Sequence, residues 1–135
     1  MNKQNKAIIG LGSNRNEKEN MVKAVELLQR HFETISFSKA LYTAPIGVNP
    51  DVKPFLNQVA IIQTLKDLSE VQGVLKNIEY ELGRRPQDKQ CMSIPIDIDL
   101  LQWNEQVYKE EDMKRDYIIA AIQSLSTEGK DNKRS

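Results

Sequence analysis

Asp97 and Asp99 stand two residues apart in the otherwise apolar run Pro95-Ile96-Asp97-Ile98-Asp99-Leu100-Leu101. On a strand, residues i and i+2 share a face, which sets the two carboxylates side by side, roughly 7 Å apart along the backbone. Ile96, Ile98 and Leu100 then point the other way, into a core. Adjacent carboxylates repel, and burying them is costly unless a cation or a basic group joins them. Mg2+ is a hard cation that commonly takes one or two carboxylates together with substrate phosphates. The pair therefore reads as a platform for Mg2+ and phosphate. Taken alone, a strand with one solvated face explains it as well.

Residues elsewhere extend that chemistry. Glu79 and Glu81 fall late in a helical pattern, from which Glu79 can reach the acidic pair; Arg84 and Arg85 follow at once, and Arg115 comes later. Carboxylates for Mg2+ with arginines for phosphate oxygens are what a phosphoryl-transfer site requires, although solvation alone also accounts for surface arginines. Phe55 and Asn57 share a strand face, and with Tyr117 they could stack on and hydrogen-bond one flat heterocycle. Ordinary core packing is the competing reading of both rings.

Other chemistries lack their residues. The chain has one histidine and one cysteine, Cys91, which excludes a zinc cluster, a disulfide framework and the usual acyl-transfer triads. His31 falls where a helix C-terminus would use its charge. Gly10-Leu11-Gly12 lacks the third glycine of a dinucleotide fingerprint, and no P-loop pattern occurs. Lys and Arg balance Asp and Glu at 19 each, so no net field favours nucleic acid or an anionic membrane. No aromatic-bearing central strand of an RNA-recognition module is present either.

The elements that must position these groups follow from periodicity. Ala7–Gly12 reads as a buried strand, with Asn14 or Asn16 capping a helix from Glu17 to about His31 whose apolar stripe is Val22, Val25, Leu28 and Phe32. Residues 34–43 alternate as one half-buried strand, with Ile35, Phe37 and Lys39 on one side. A loop rich in turn residues, 44–54, precedes a strand over 55–63. Leu68, Val71, Val74 or Leu75, Ile78 and Leu82 mark a second helix closed by Gly83. Arg84 to Ser93 is a polar loop, and a turn at 102–105 separates the Asp-x-Asp strand from residues 106–108. A closing helix spans 116–125 with Tyr117, Ala120, Ala121 and Ile122 inward. The order strand, helix, strand, strand, helix, strand predicts an α+β, ferredoxin-like split βαβ domain over 1–125, with a disordered tail at 126–135. No leader or membrane-spanning run is apparent, so a cytoplasmic location is expected.

Several of these residues also form an ordered series. Leu11-Gly12-Ser13-Asn14, Tyr42-Thr43-Ala44-Pro45-Ile46-Gly47, Phe55-Leu56-Asn57, Glu79 with Gly83-Arg84, and Asp97-Ile98-Asp99 together resemble the hydroxymethyldihydropterin pyrophosphokinase family from about Lys6 to Ile122. The resemblance implies a ferredoxin-like fold, with pyrophosphate moved from ATP to the hydroxymethyl group of a reduced pterin in folate biosynthesis, releasing AMP. It implies two Mg2+ ions on Asp97 and Asp99, a pterin held by Phe55, Tyr117, Asn57 and the Thr43, Pro45, Ile46 and Gly47 loop, and ATP near Glu79, Arg84, Leu100 and Arg115. Small-molecule substrates are the implied partners, with no nucleic acid or membrane; the oligomeric state stays open. The segment before the acidic pair departs from the family: Cys91 stands for an aromatic residue, and Ile94 and Pro86 for arginines. Glu110 and Glu111 replace a His-Tyr pair, and the family's proline-rich carboxy-terminal extension does not appear. Charge-assisted bonds to phosphate contribute about 1.5–3 kcal/mol each, so these replacements predict weakened ATP handling. Two alternatives follow: a homologue that binds a pterin-like heterocycle without transfer, and a structural ferredoxin-like module.

Overall fold

A computed structural model describes residues 4–43 and 52–134, with side chains up to Leu125. Strand β1 (Asn5–Ser13) lies at the centre of an antiparallel sheet, flanked by β4 (Phe55–Thr64) and β5 (Asp97–Trp103). Outside β4 run two short strands, β2 (Thr34–Phe37) and β3 (Leu41–Thr43), and β6 (Gln106–Val107) closes the opposite edge. The strand order is β2-β4-β1-β5-β6, with β3 also pairing β4. This is an α+β architecture.

Alternation along β1 divides the core in two. Ala7, Ile9 and Leu11 face helices α1 (Glu17–His31) and α2 (Leu68–Glu81), while Ile8 faces the other way, toward helix α5 (Asp116–Arg134). α1 buries Met21, Ala24 and Leu28; α2 buries Val71, Leu75 and Ile78. Val22 is 58 % exposed, so the stripe expected through Val22 is rotated: unbranched Met21 one position earlier supplies the contact. On the opposite face Ile8, Val59, Leu101 and Ile118 make the smaller core. α5 covers only part of that face, and the site described below occupies the rest. α5 buries Ile118 and Leu125, while Ala120, expected inward, is exposed. Its backbone continues through 126–134, the segment expected as a disordered tail; once a helix is nucleated, each added residue gains a bond. No helix among the described residues is long and apolar enough to cross a membrane.

The single strand expected over 34–43 is two. Phe37 pairs Ala60 and Leu41 pairs Asn57, so one strand spends an extra residue. Ser38 fills the break: its N–H donates to the Val59 carbonyl at 2.8 Å, and its Oγ accepts from the Val59 N–H at 2.9 Å. Buried Ser38 thus replaces Lys39, which is exposed.

α2 begins in a capping box. Asp67 Oδ1 accepts from the Glu70 N–H at 2.8 Å and Glu70 Oε1 accepts from the Asp67 N–H at 3.2 Å. Asp67→Ala is expected to lower stability by about 1 kcal/mol, read as a reduced urea midpoint at constant slope. At the far end Gly83 takes φ 99, the left-handed turn a glycine permits.

Candidate active site

The floor of the site is built by strand register. Gly10 pairs Asp99 and Gly12 pairs Asp97 on β5, while on the other side of β1 Gly12 pairs Asn57 of β4. Partners directly opposite share a face, so Asn57, Gly12 and Asp97 form one row across three strands. Neighbouring strands lie about 4.8 Å apart, which puts the middle of this row within reach of a flat ring spanning amide and carboxylate. The two glycines leave that surface bare. A Cβ on Gly12 would meet Asn57 Oδ1 at 3.4 Å and Phe55 Cδ1 at 3.6 Å. These glycines went unrecognised as site residues in the sequence; glycine repeated at period two inside a strand was the available signal of close approach.

Above this floor is a cleft of about 290 Å³ that brings together Thr43, Phe55, Asn57, Asp97, Asp99, Arg115 and Tyr117. Met92 and Asp112, which sequence reasoning passed over, also line it. Asn57 is anchored by its Nδ2, which lies 2.6 Å from Thr43 Oγ1 and donates to the Phe55 carbonyl at 3.1 Å. A carbonyl can only accept, so the amide orientation is assigned by chemistry, and Oδ1 faces the floor as an acceptor. Arg115 pairs with Asp112 at 3.3 Å. Burial pushes the Tyr117 phenol upward, and Arg115 partly offsets it. Pro45, Ile46 and Gly47 lie outside the described residues.

A register shift between Ile8 and Ile9 places a bulge in β5 near Leu101. Asp97, Asp99 and Leu101 share the cleft face, while Ile98, Leu100 and, beyond the bulge, Trp103 belong to the helical face. Asp99 is pushed up from 3.8 to about 7, first by burial and then by the Asp97 carboxylate beside it; Lys109 opposes the rise. An Asp99 carboxyl pushed up to about 7 beside a second carboxylate can exchange its proton for a divalent cation, so the donor set fits Mg2+. Among the described residues no three His, Cys, Asp or Glu side chains converge on one point. The protein would thus supply two carboxylates and leave the remaining positions to water and phosphate, as Mg2+ commonly requires.

Glu79 and Arg84 sit behind the pair and not in the cleft. Glu79 is 4 % exposed, and its Oε2 accepts from the Ile98 N–H at 2.7 Å, between the two aspartates. Arg84 Nη1 donates to the Ile96 carbonyl at 2.9 Å and to Asp97 Oδ1 at 3.0 Å, with Glu79 Oε2 at 3.6 Å. Both therefore brace the start of β5. Leu100 lies in an adjoining hollow of about 460 Å³ between α2 and β5, shared with Asp99, Lys76, Tyr108 and Lys109.

The polar segment expected as a loop from Arg84 to Ser93 contains a short helix, α3 (Asp88–Cys91). Asp88 holds it: Oδ2 accepts from the Arg85 N–H at 2.7 Å, and Oδ1 pairs with Arg15 at 3.2 Å. The Arg85 amide is the main cause of the lowered Asp88 pKa. Asn14 caps no helix; it turns instead to the residues before β5, while Asn16 takes the N-cap position of α1 without a side-chain bond. Ile94 is buried, and Cys91 is exposed. The first turn of α4 (Glu110–Met113) is acidic, with Glu110 and Glu111 both exposed.

No curated protein matches this chain. Among solved structures, a dinuclear metal-binding peptidase of the M20 family from Bacillus subtilis is similar at TM-score 0.36 and 10 % identity. The likeness covers 77 % of this chain, which spans about a quarter of that structure (26 %), and at this level it carries no argument. The family of 7,8-dihydro-6-hydroxymethylpterin-pyrophosphokinases matches residues 8–127, from the second half of β1 into α5, and includes every described residue of the cleft. The chain belongs to that family.

Proposed function

We propose that this chain transfers pyrophosphate from ATP to the hydroxymethyl group of a reduced pterin, with release of AMP, as a step of folate biosynthesis. The observation that carries this reading is the row Asn57–Gly12–Asp97, a bare strip of sheet with a hydrogen-bonding amide at one end and the acidic pair at the other. Phe55 and Tyr117 border the same cleft and offer faces for a flat ring. Asn57 Oδ1 accepts from the ring's N–H edge. The pterin hydroxyl then lies toward Asp97 and Asp99, and the triphosphate comes from the adjoining hollow, where Leu100 lines one side and Lys76 and Lys109 supply positive charge. The hydroxyl oxygen bonds to the β-phosphorus, the bond from that phosphorus to the α,β-bridging oxygen breaks, and the hydroxyl proton is released. Mg2+ on Asp97 and Asp99, with two ions as the family resemblance implies, would supply neutralisation of phosphate charge and alignment of the displacement. Arg115 stands at the cleft to meet phosphate oxygens, and Arg84 keeps Asp97 oriented from behind. The antiparallel strand order also supports reading the α+β domain as ferredoxin-like.

A second reading, pterin binding without transfer, draws on the acidic turn at Glu110 and Glu111 and on buried Ile94, which offer triphosphate no cation. One assay separates the two. AMP formed from ATP, Mg2+ and 6-hydroxymethyl-7,8-dihydropterin, and lost without pterin, is the expected result. Pterin binding with no pterin-dependent AMP would leave the second reading in place.

Gly12→Ala tests the floor. The added methyl meets Asn57 and Phe55 at ordinary contact distance, so the fold should hold. It occupies space the ring needs, and overpacking of about 1–3 kcal/mol corresponds to roughly five- to 150-fold weaker pterin binding. Unchanged affinity in a titration would move the ring off this strip.

A further inference from the structure

One wall of the cleft carries a backbone outlier. Met92 has φ 52, in the left-handed region, which a residue with a Cβ keeps only where its surroundings hold it. Met92 lines the cleft together with Phe55, Asn57 and Asp97. Met92 ends α3 as its C-cap, with its N–H donating to the Lys89 carbonyl at 3.4 Å, and its carbonyl side is held by one buried amide. Asn14, 2 % exposed just beyond β1, donates from Nδ2 to the Met92 carbonyl at 2.8 Å and to the Lys53 carbonyl at 3.3 Å. Its Oδ1 accepts from the Ile94 N–H at 2.6 Å, and its own N–H donates to the Ile94 carbonyl at 3.0 Å. Three segments that border the cleft therefore converge on one side chain: the end of β1, the residues before Phe55, and the residues before Asp97. An amide is suited to this place because it offers two donors and an acceptor without charge. Serine or aspartate at the same position lacks the paired donors.

We propose that Asn14 is a positioning residue that fixes Met92 as a specificity-determining wall of the heterocycle subsite. The proposal rests on the pterin reading of the cleft. Asn14 lines no part of the cleft and acts through the Met92 carbonyl. Met92 presents a polarizable thioether, suited to packing on a flat aromatic ring. Because the left-handed backbone belongs to a residue that itself lines the cleft, loss of the amide clamp lets Met92 relax out of the wall.

The test uses Asn14→Ser and Met92→Gly, singly and together, with 6-hydroxymethylpterin fluorescence as the binding probe. Hydrogen exchange of the Ile94 amide serves as a ligand-free readout. Asn14→Ser is expected to speed that exchange and raise the pterin Kd about tenfold or more, Met92→Gly to raise Kd similarly, and the double variant to add little further, as coupled residues do. An Asn14 that serves folding alone would lower Tm and leave Kd unchanged in the folded variant, which overturns the proposal. Effects that multiply in the double variant overturn it as well. Where Asn14→Ser does not fold, Met92→Gly decides: a Kd within about twofold of the parent refutes the wall. If the unaltered protein does not bind the probe, the pterin reading falls. Exchange at Ile94 then decides the clamp, which faster exchange in Asn14→Ser supports and unchanged protection overturns.

Discussion

Asp99→Asn is expected to abolish pyrophosphate transfer while making the metal-free protein more stable above neutral pH. The two effects share one cause. Burial and the Asp97 carboxylate push Asp99 from 3.8 to about 7 in the folded protein. In the unfolded chain both influences vanish and the group ionises near its ordinary value. Between those values the folded state holds a proton that the unfolded state has released, so stability falls as pH rises. The contribution is present in full below the unfolded pKa and is lost as pH rises through about 7. Asparagine stays neutral and removes this slope. It also removes the charge for which a cation would exchange the proton, and the expected loss of transfer is on the order of a thousandfold, equivalent to about 4 kcal/mol of transition-state stabilisation. Thermal unfolding of both proteins between pH 4 and 8 without metal is the measurement. Parallel curves would show that Asp99 ionises normally. In the parent, Mg2+ affinity should rise across the upper part of the same window, because binding then displaces fewer protons.

The stability gain matters for interpretation, since a variant that is inactive and more stable has lost chemistry and not its fold. Such sites trade stability for function. Gly10 and Gly12 follow the same logic, leaving opposite Asp99 and Asp97 a surface that a larger residue would fill.

What could be read from the chain before folding divides along the range of the interactions. That Asp97 and Asp99 share a face is local, set by strand period, and it holds. That Gly12 lies between Asn57 and Asp97 depends on pairings across 45 and 85 residues of chain, which no local pattern encodes. The break at Ser38 is of the same kind, since its cause is the backbone of Val59. The stripe of α1 holds at Leu28 and Phe32 and fails at its start for a subtler reason: two valines outweigh one methionine in the pattern, yet Met21 meets the sheet core and Val22 meets solvent. Arg84 was legible as a site residue, but its contact with Asp97 Oδ1 could not be distinguished from a contact with phosphate by residue type alone. Bulges add one more blind spot. The extra residue near Leu101 moves Trp103 onto the helical face after a stretch in which alternation had run true.

Glu79 provides the second large effect, through β5 itself. Its carboxylate is almost wholly buried, and Oε2 satisfies the N–H of Ile98, the residue between the two aspartates. Arg84 lies 3.6 Å from the same oxygen and reaches on to Asp97 Oδ1 and the Ile96 carbonyl. Glu79→Ala would leave a buried amide unpaired and remove the more distant of two counter-charges from a half-buried guanidinium that keeps Asp97, a combined cost of about 2–4 kcal/mol. Glu79→Gln keeps an acceptor for Ile98 and loses only the charge, so its cost should be about 1–2 kcal/mol. The difference between the two, read from urea midpoints at equal slope, measures what the backbone bond contributes apart from the ion pair. A functional consequence follows because Ile98 cannot shift without carrying both neighbours. Metal affinity should therefore fall in Glu79→Gln even at temperatures where the variant is fully folded, whereas Asp67→Ala, at the other end of α2, should leave it unchanged. Equal metal affinity in Glu79→Gln and the parent would confine Glu79 to the core. Weaker affinity would show that the acidic pair is aimed from behind, by a carboxylate that does not line the cleft.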